Sequence, residues 1–348
     1  MDNVIPLGWW GVPLAVLSGA IRAGTPFIFV SLGECLTEKS GRINLGLEGT
    51  LVMGAMSAYG ISYLTGSPWL GVLVAGASGM VLGALHAWAC SRPQVNDIAV
   101  GIALMVFGTG LAFYLGKPFV QPQAPGLPAI DFGWWSNHSQ VRAALQVNAL
   151  FFVGLVLAPL MRWALYNTRW GLAVRAAGDS ADAAQSLGYR VDRIRLISTV
   201  IGGFFAGIGG AFLSLYFPGS WNEGLSSGQG LMAVALVIFA RWDPILCFLA
   251  SLLFGGASAI GPALQSVGIT SGYYLFNAAP YVLTLLLMVA TSSRRRLMKG
   301  TPGELGVGKS GKVHRHKSTL PQSSRGPLAL LIPIQLHRLI LDRLVRSW

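Results

Sequence analysis

The sequence predicts an all-α polytopic membrane protein with about nine transmembrane helices, within a range of eight to ten, and one further helix outside the membrane. Of the 348 residues, 53% are hydrophobic and only 11% are charged, whereas soluble domains carry about 25% charged residues. Nine apolar runs approach the length of a membrane span, at residues 9–32, 45–64, 68–89, 95–116, 143–165, 194–217, 228–243, 244–263 and 271–291.

The connections between these runs alternate in charge, which predicts their sides of the membrane. The second and sixth connections, 66–68 and 219–223, contain no Lys or Arg, whereas the odd-numbered connections are basic. Cytoplasmic loops of membrane proteins carry the excess of Lys and Arg. We therefore expect the N-terminus outside, and the loop 166–195 and the C-terminus in the cytoplasm. The basic residues that carry this pattern are Lys39, Arg42, Arg92, Arg169, Arg175, Arg241 and Arg294 to Arg296.

Two places leave the number of spans open. The first run contains Arg22, Gly24 and Pro26, so it is either one helix or a two-piece element. The seventh and eighth runs are short and meet at residues 241–244, where half-helices that re-enter the membrane are the alternative to two full spans.

The loop 166–195 is the longest polar stretch between apolar runs, and it contains a helix signal. Asp179 or Ser180 is the expected N-cap, Asp182 lies in the expected first turn, and Gly188 is the expected stop. Two interpretations of this short helix are open at this point. It is either an ordinary solvated loop helix or a docking element for a cytoplasmic partner.

The chain divides into a transmembrane domain, 1–296, and a basic tail, 297–348. The tail carries nine Lys and Arg against two acidic residues, which predicts a cytoplasmic position near anionic lipid. We expect it to be disordered, with an amphipathic helix on the inner leaflet as an alternative for its end, and we expect no nucleic-acid partner. Residues 303–310 match the phosphate-loop pattern G-x-x-x-x-G-K-[ST]. That loop requires a preceding strand and a following helix, and the flanking residues predict neither, so we do not expect an ATP site.

A few polar residues lie within or beside the apolar runs, where such residues usually face a water-filled path or the bundle interior. Asn44 and Glu48 lie at the start of the second run, and Asn96 and Asp97 at the start of the fourth. We take these four as a tentative translocation path. For Glu48 the alternatives are an ion pair with a nearby Arg or Lys and a charge at a helix N-terminus. No residue constellation predicts catalysis or a metal site, so we expect a transport protein and not an enzyme.

Three stretches together resemble a known family. They are 34–49, then 171–188 with 203–210, and 228–244 with 280–284. They are similar to the permease subunits of bacterial ABC importers of the ribose and branched-chain amino acid class. The similarity is greatest to the nucleoside branch, a simple-sugar type that works with a basic membrane lipoprotein. It extends over roughly residues 10–292.

The resemblance implies partners and a role for the loop helix. A cytoplasmic ATPase uses ATP, an external lipoprotein delivers the substrate, and a second permease completes the pore, more often as a heterodimer than as a homodimer. This chain would bind no cofactor and would lie in the bacterial cytoplasmic membrane. Residues 175–190 would be the coupling helix that contacts the ATPase, through Arg175, Gly178, Asp179, Asp182, Leu187 and Gly188. A permease for ribose, another sugar or a branched-chain amino acid, and an ion-coupled secondary transporter, are the alternatives.

Overall fold

A computed structural model describes residues 11–268 except 93 and 137, together with 276, 278–283, 286 and 301–306. In this part of the chain six helices are long and apolar enough to cross a membrane. They are α1 (Gly11–Lys39), α3 (Pro68–Cys90), α4 (Asp97–Gly116), α6 (Ala149–Asn167), α9 (Val191–Leu215) and α11 (Pro244–Gln265). The chain is thus a polytopic helical membrane protein.

Two further helices correspond to predicted runs but differ from ordinary spans. Helix α2 (Leu47–Thr65) is buried over most of its length, so its surroundings are other helices rather than lipid. Helix α10 (Gln229–Phe239) has 11 residues and is too short to cross a bilayer. This agrees with a half-helix for the seventh run, whereas the half-helix alternative was wrong for the eighth run, because α11 has 22 residues and is long enough to span. The ninth run, 271–291, lies almost entirely outside the described residues, so the count of nine stays a prediction.

Helix α1 is one continuous helix, and the two-piece alternative was wrong for residues 11–39. It contains Pro26 and extends seven residues beyond the predicted end at 32. The prediction stopped there because Glu34 and Glu38 are polar. Both are buried but bonded: Glu34 Oε1 accepts the backbone N–H of Asn44 at 2.8 Å, and Glu38 accepts the indole N–H of Trp242.

Helix α9 lies at the centre of the bundle, between α1, α2 and α3. Glycines on its faces allow this, because neighbouring backbones come within van der Waals contact there. A Cβ atom at Gly203 would overlap the backbone of Gly79 on α3, and one at Gly210 would overlap that of Leu51 on α2. Such small-residue contacts replace the hydrophobic effect as the packing force between membrane helices.

One end of the bundle, which we call the basic end, carries residues 40–46, 91–92, 94–96, 168–190 and 240–243. The opposite end is covered by the connection between α4 and α6. That connection contains a short antiparallel pair, β1 (Ala129–Asp131) and β2 (Gln146–Asn148), with α5 (Ser139–Leu145) between them. This pair was not predicted, and because of it α6 begins six residues after the predicted start at 143.

Candidate functional site

The loop 166–195 contains two helices at the basic end, α7 (Arg169–Asp179) and α8 (Ala181–Ser186). The single coupling helix predicted at 175–190 was therefore wrong in its bounds. The two helices are separated by Ser180, whose backbone is extended with a φ of −159°. Its Oγ accepts the backbone N–H of Ala183 at 3.3 Å, so Ser180 is the N-cap of α8. This agrees with one of the two predicted caps.

Helix α7 lies directly against the ends of two spans. A Cβ atom at Gly178 would overlap the carbonyl group of Lys39, the last residue of α1, and would lie 3.2 Å from the amide nitrogen of Gly41. A Cβ atom at Gly171 would overlap the carbonyl oxygen of Ala164 on α6. Because backbone contacts backbone, a displacement of α7 is passed directly to α1 and α6.

Arg195, in the first turns of α9, joins the parts of this region. Its Nε donates to the carbonyl oxygen of Ser40 at 3.1 Å, and its Nη2 donates to that of Ala177, also at 3.1 Å. The Glu304 carboxylate pairs with the same guanidinium at 3.4 Å. Arg195 is buried, and these acceptors satisfy its charge away from water. Sequence reasoning assigned Arg195 only to the polar loop and missed this role.

Glu304 also fixes the start of α8, because its Oε1 accepts the N–H of Ala181 at 3.0 Å. It belongs to a helical turn, Gly303–Gly306, that forms the start of the phosphate-loop pattern. Residues 307–310 of the pattern, and most of the 297–348 tail, lie outside the described residues. In the described part, this segment contacts the start of α8 and Arg195 of α9.

The six residues expected to couple the chain to an ATPase divide into two groups. Gly178 faces the bundle, and the Arg175 guanidinium lies over the Tyr166 ring, 5.0 Å from its centre. The other four are exposed around α8. Leu187 is 74% exposed, which is high for an apolar side chain outside the lipid-facing surface. The exposed set is Asp179, Asp182, Leu187 and Gly188.

Glu48 holds the N-terminus of the half-helix α10. Its Oε1 accepts the Ser226 hydroxyl at 2.6 Å and the Gly228 N–H at 3.0 Å, and its Oε2 accepts the Gly230 N–H at 2.6 Å. A carboxylate at this position accepts hydrogen bonds from amides that have no partner within the helix. Its negative charge also interacts favourably with the positive end of the helix dipole. The geometry is that of the helix-terminus alternative. The expected place of Glu48 on the translocation path stays a prediction.

The other three path residues lie at the basic end. Asp97 pairs with Arg42 at 2.7 Å. Asn96 caps α4 through the N–H of Ile98 at 2.8 Å, and the Asn44 side chain accepts the N–H of Gly46 at 2.9 Å. These contacts fix the two connections that enter α2 and α4. Glu48, by contrast, bonds the segment at the start of α10, and the place of the four residues on a translocation path stays a prediction.

The turn between α10 and α11 attaches the other end of α10 to the basic end. Asp243 pairs with Arg162 on α6, and the buried indole of Trp242 donates to Glu38. Trp242 and Arg241 both have positive φ, at 56° and 52°. The short runs meeting at 241–244 were the only sequence signal for this turn. Helix α10 is thus held by Glu48 at one end and by Glu38 at the other.

We expect the substitution Trp242→Phe to destabilise the protein more than Trp221→Phe. Both indoles are buried and both donate one hydrogen bond, but Trp221 donates to the neutral carbonyl of Gly116 at 2.9 Å. A lost bond to a carboxylate costs about 1.5–3 kcal/mol, against about 0.5–1.5 kcal/mol for a neutral acceptor. Thermal unfolding of the purified variants in detergent measures the difference. Equal losses in the two variants would contradict the Glu38 contact.

Comparison with known proteins gives a consistent result. Residues 15–292 match the model of the family described as branched-chain amino acid transport system / permease component. The chain is 33% identical to a candidate glucose ABC transporter permease of Haloferax volcanii, over 82% of this chain and 88% of that protein. It is 29% identical to a nucleoside ABC transporter permease of Lactococcus lactis, over 78% and 90%.

A guanosine ABC transporter permease of Bacillus subtilis is also 29% identical, over 80% of this chain and 92% of that protein. Each of these three organisms has a second permease that the chain matches more weakly, at 24%, 22% and 24% identity respectively. The family match ends at residue 292, before the basic tail.

Proposed function

The chain belongs to the branched-chain amino acid transport system permease family, and we propose that it carries a nucleoside, or a related simple sugar, into the cytoplasm. It is the membrane subunit of an ABC importer. The substrate class is supported by the relatives, which are named for nucleosides, guanosine and glucose. ATP is hydrolysed by a separate ATPase, and this chain contributes the path and the coupling surface.

The coupling surface of this proposal is the region α7–α8 at the basic end, which would face the cytoplasm. The observation that carries it is the contact of Gly178 with the end of α1, because it joins an exposed helix pair rigidly to a span. Exposed Leu187 and the carboxylates of Asp179 and Asp182 would meet a groove on the ATPase. In this arrangement the chain crosses the membrane about nine times, with 271–291 as its last span and the N-terminus outside. The short helix α10 and the non-helical segment before it together make one of these crossings.

In this proposal, α10 transmits the movement of the ATPase to the substrate path. ATPase closure displaces α7, and α7 displaces the end of α1, which holds Trp242 through Glu38. Trp242 belongs to the turn at one end of α10, and Glu48 holds the other end. Half-helices that end inside the membrane are common at transporter binding sites. A movement of α10 relative to α2 would then open the path alternately to the two sides.

The proposal includes three partners besides the lipid bilayer. They are a cytoplasmic ABC ATPase, an external substrate-binding lipoprotein and a second permease. A heterodimer is favoured because three organisms each have two permeases similar to this chain. The complex would lie in the cytoplasmic membrane of a bacterium.

Transport by the reconstituted complex tests the proposal. Proteoliposomes that contain the chain, the second permease and the ATPase, with external binding protein, should accumulate labelled guanosine only when they enclose ATP. A non-hydrolysable ATP analogue is the control. Uptake that is independent of ATP and follows an imposed ion gradient would favour a secondary transporter. Uptake of ribose or leucine with no uptake of guanosine would favour one of the other substrate classes.

A further inference from the structure

A cavity of about 610 Å³ lies between the first half of α1, the start of α10 and the second half of α11. Its volume is in the range of small-molecule sites, roughly 300–1,000 Å³. Two aromatic residues outside these helices also line it: Phe217, just after α9, and Tyr281, in the described segment 278–283. All these parts lie on the side of Glu48 that is away from the basic end. In the proposed orientation the cavity therefore lies in the outer half of the membrane.

The polar groups of this cavity are few and lie at its base and side. Gln229, the first residue of α10, lines it, and the Gln229 side-chain oxygen is buried with no hydrogen-bond partner among the described residues. Arg22 on α1 and Ser258 on α11 line it as well. A buried amide oxygen without a partner is costly. A ligand that donates a hydrogen bond to it would remove that cost.

The electrostatics of the cavity disfavour a free amino acid. The N-terminus of α10 would attract an anion, but Glu48 already accepts the N–H groups of Gly228 and Gly230. Arg22 is the one charged residue among the described lining residues. A free amino acid could place its carboxylate near Arg22, but its ammonium group would find no carboxylate there, and burying an unpaired charge is unfavourable.

One wall of the cavity is aromatic. The rings of Phe27 and Phe254 are in edge-to-face contact with centroids 4.9 Å apart, and Tyr281 lies 6.5 Å from Phe254. Such a wall binds planar rings, because bases stack on aromatic side chains with about 1–3 kcal/mol per base. An amide and a guanidinium beside it match the acceptors and donors on the edge of a base. A simple sugar has no planar π-face and would contact this wall only through its C–H groups.

We propose that this cavity is the intramembrane site for the base and ribose of a nucleoside, with Gln229 as a group that selects the ligand by hydrogen bonding. This inference rests on the proposed import function and adds the position and chemistry of the site. Because Gln229 adjoins the two glycines that Glu48 holds, a movement of α10 would change the site and its anchor together.

Protection of an introduced thiol tests the site in the complete complex. We expect Ser258→Cys to react with a membrane-impermeant thiol reagent added from outside, and guanosine at saturating concentration to slow the reaction at least fivefold. The native thiols Cys35, Cys90 and Cys247 are buried, so the unmodified chain is the blank. Glu223→Cys, exposed in the segment before α10 and outside the cavity lining, is the matched control: it should react with the same reagent, and guanosine should not protect it.

The variant Gln229→Leu in the Ser258→Cys background should raise the guanosine concentration for half protection about tenfold, as expected for one lost hydrogen bond of ordinary strength. Met232→Leu, another lining residue, should change it less than twofold. Protection by leucine in place of guanosine would overturn the inference, and so would guanosine uptake by the complex without any protection of Ser258→Cys. Absence of guanosine uptake itself would instead count against the proposed function.

Discussion

The substitution Gly178→Ala is expected to abolish ATP-driven uptake. The added methyl group would overlap the carbonyl group of Lys39 and force α7 away from the end of α1. Neither backbone can give way easily, because Arg195 binds the carbonyl groups of Ser40 and Ala177 on the two sides of this contact. Uptake should fall at least a hundredfold, because the substitution removes the transmission of movement from α7 to α1, which is a larger loss than that of one hydrogen bond. Uptake by the reconstituted complex and ATP hydrolysis, measured in parallel, give the result.

Gly110→Ala on α4 is the matched control, since nothing lies within 4 Å of the position that its Cβ would occupy. Alanine also favours the helix by roughly 1 kcal/mol over glycine, so this variant should keep full activity. If Gly178→Ala transports as well as Gly110→Ala, the contact between α7 and α1 does not carry the coupling. ATP hydrolysis that continues without uptake in Gly178→Ala is the outcome that identifies uncoupling.

Glu48→Ala is expected to destabilise the protein strongly. It leaves the Ser226 hydroxyl and the amides of Gly228 and Gly230 without their acceptor in buried surroundings. Each such group costs about 1–3 kcal/mol, so the total loss is several kcal/mol. Glu48→Gln keeps one acceptor oxygen and should have an intermediate effect. The midpoint of thermal unfolding in detergent measures both.

Glu223→Ala, which removes an exposed carboxylate in the same segment before α10, is the control and should change stability by less than about 0.5 kcal/mol. A Glu48→Ala protein as stable as Glu223→Ala would contradict the anchoring of α10. A Glu48→Gln protein that is stable but transports nothing would instead support the predicted place of Glu48 on the path.

Much of the fold follows from the sequence because lipid imposes simple rules. An apolar run near bilayer length must form a helix, since its backbone groups have no other partners in hydrocarbon. Each of the first eight predicted runs contains a helix. These rules do not predict helix ends correctly where the surroundings are protein and not lipid. Helix α1 continues to Lys39 because Glu34 and Glu38 have buried hydrogen-bond partners that are not adjacent in the sequence. No local pattern reveals such partners.

The candidate site was only partly predictable, for a related reason. The N-cap at Ser180 depends on neighbouring residues and was expected, as was the turn at Gly188, which has a φ of 85°. Helix α7 was missed because its buried face consists of small residues, which carry little hydrophobic signal. The roles of Arg195 and Glu304 depend on contacts between distant segments, and the sequence places both only in polar stretches.

The central claim is that α7–α8 couples this chain to an ATPase, and co-purification of the two proteins tests it most directly. Leu187→Asp is the informative variant, because Leu187 is exposed and its replacement leaves the fold intact. Leu187→Met and Val120→Asp, the latter exposed at the opposite end, are the controls. We predict that the ATPase co-purifies with the original chain and with both controls but is reduced at least tenfold with Leu187→Asp. Equal recovery of the ATPase with Leu187→Asp would contradict the claim.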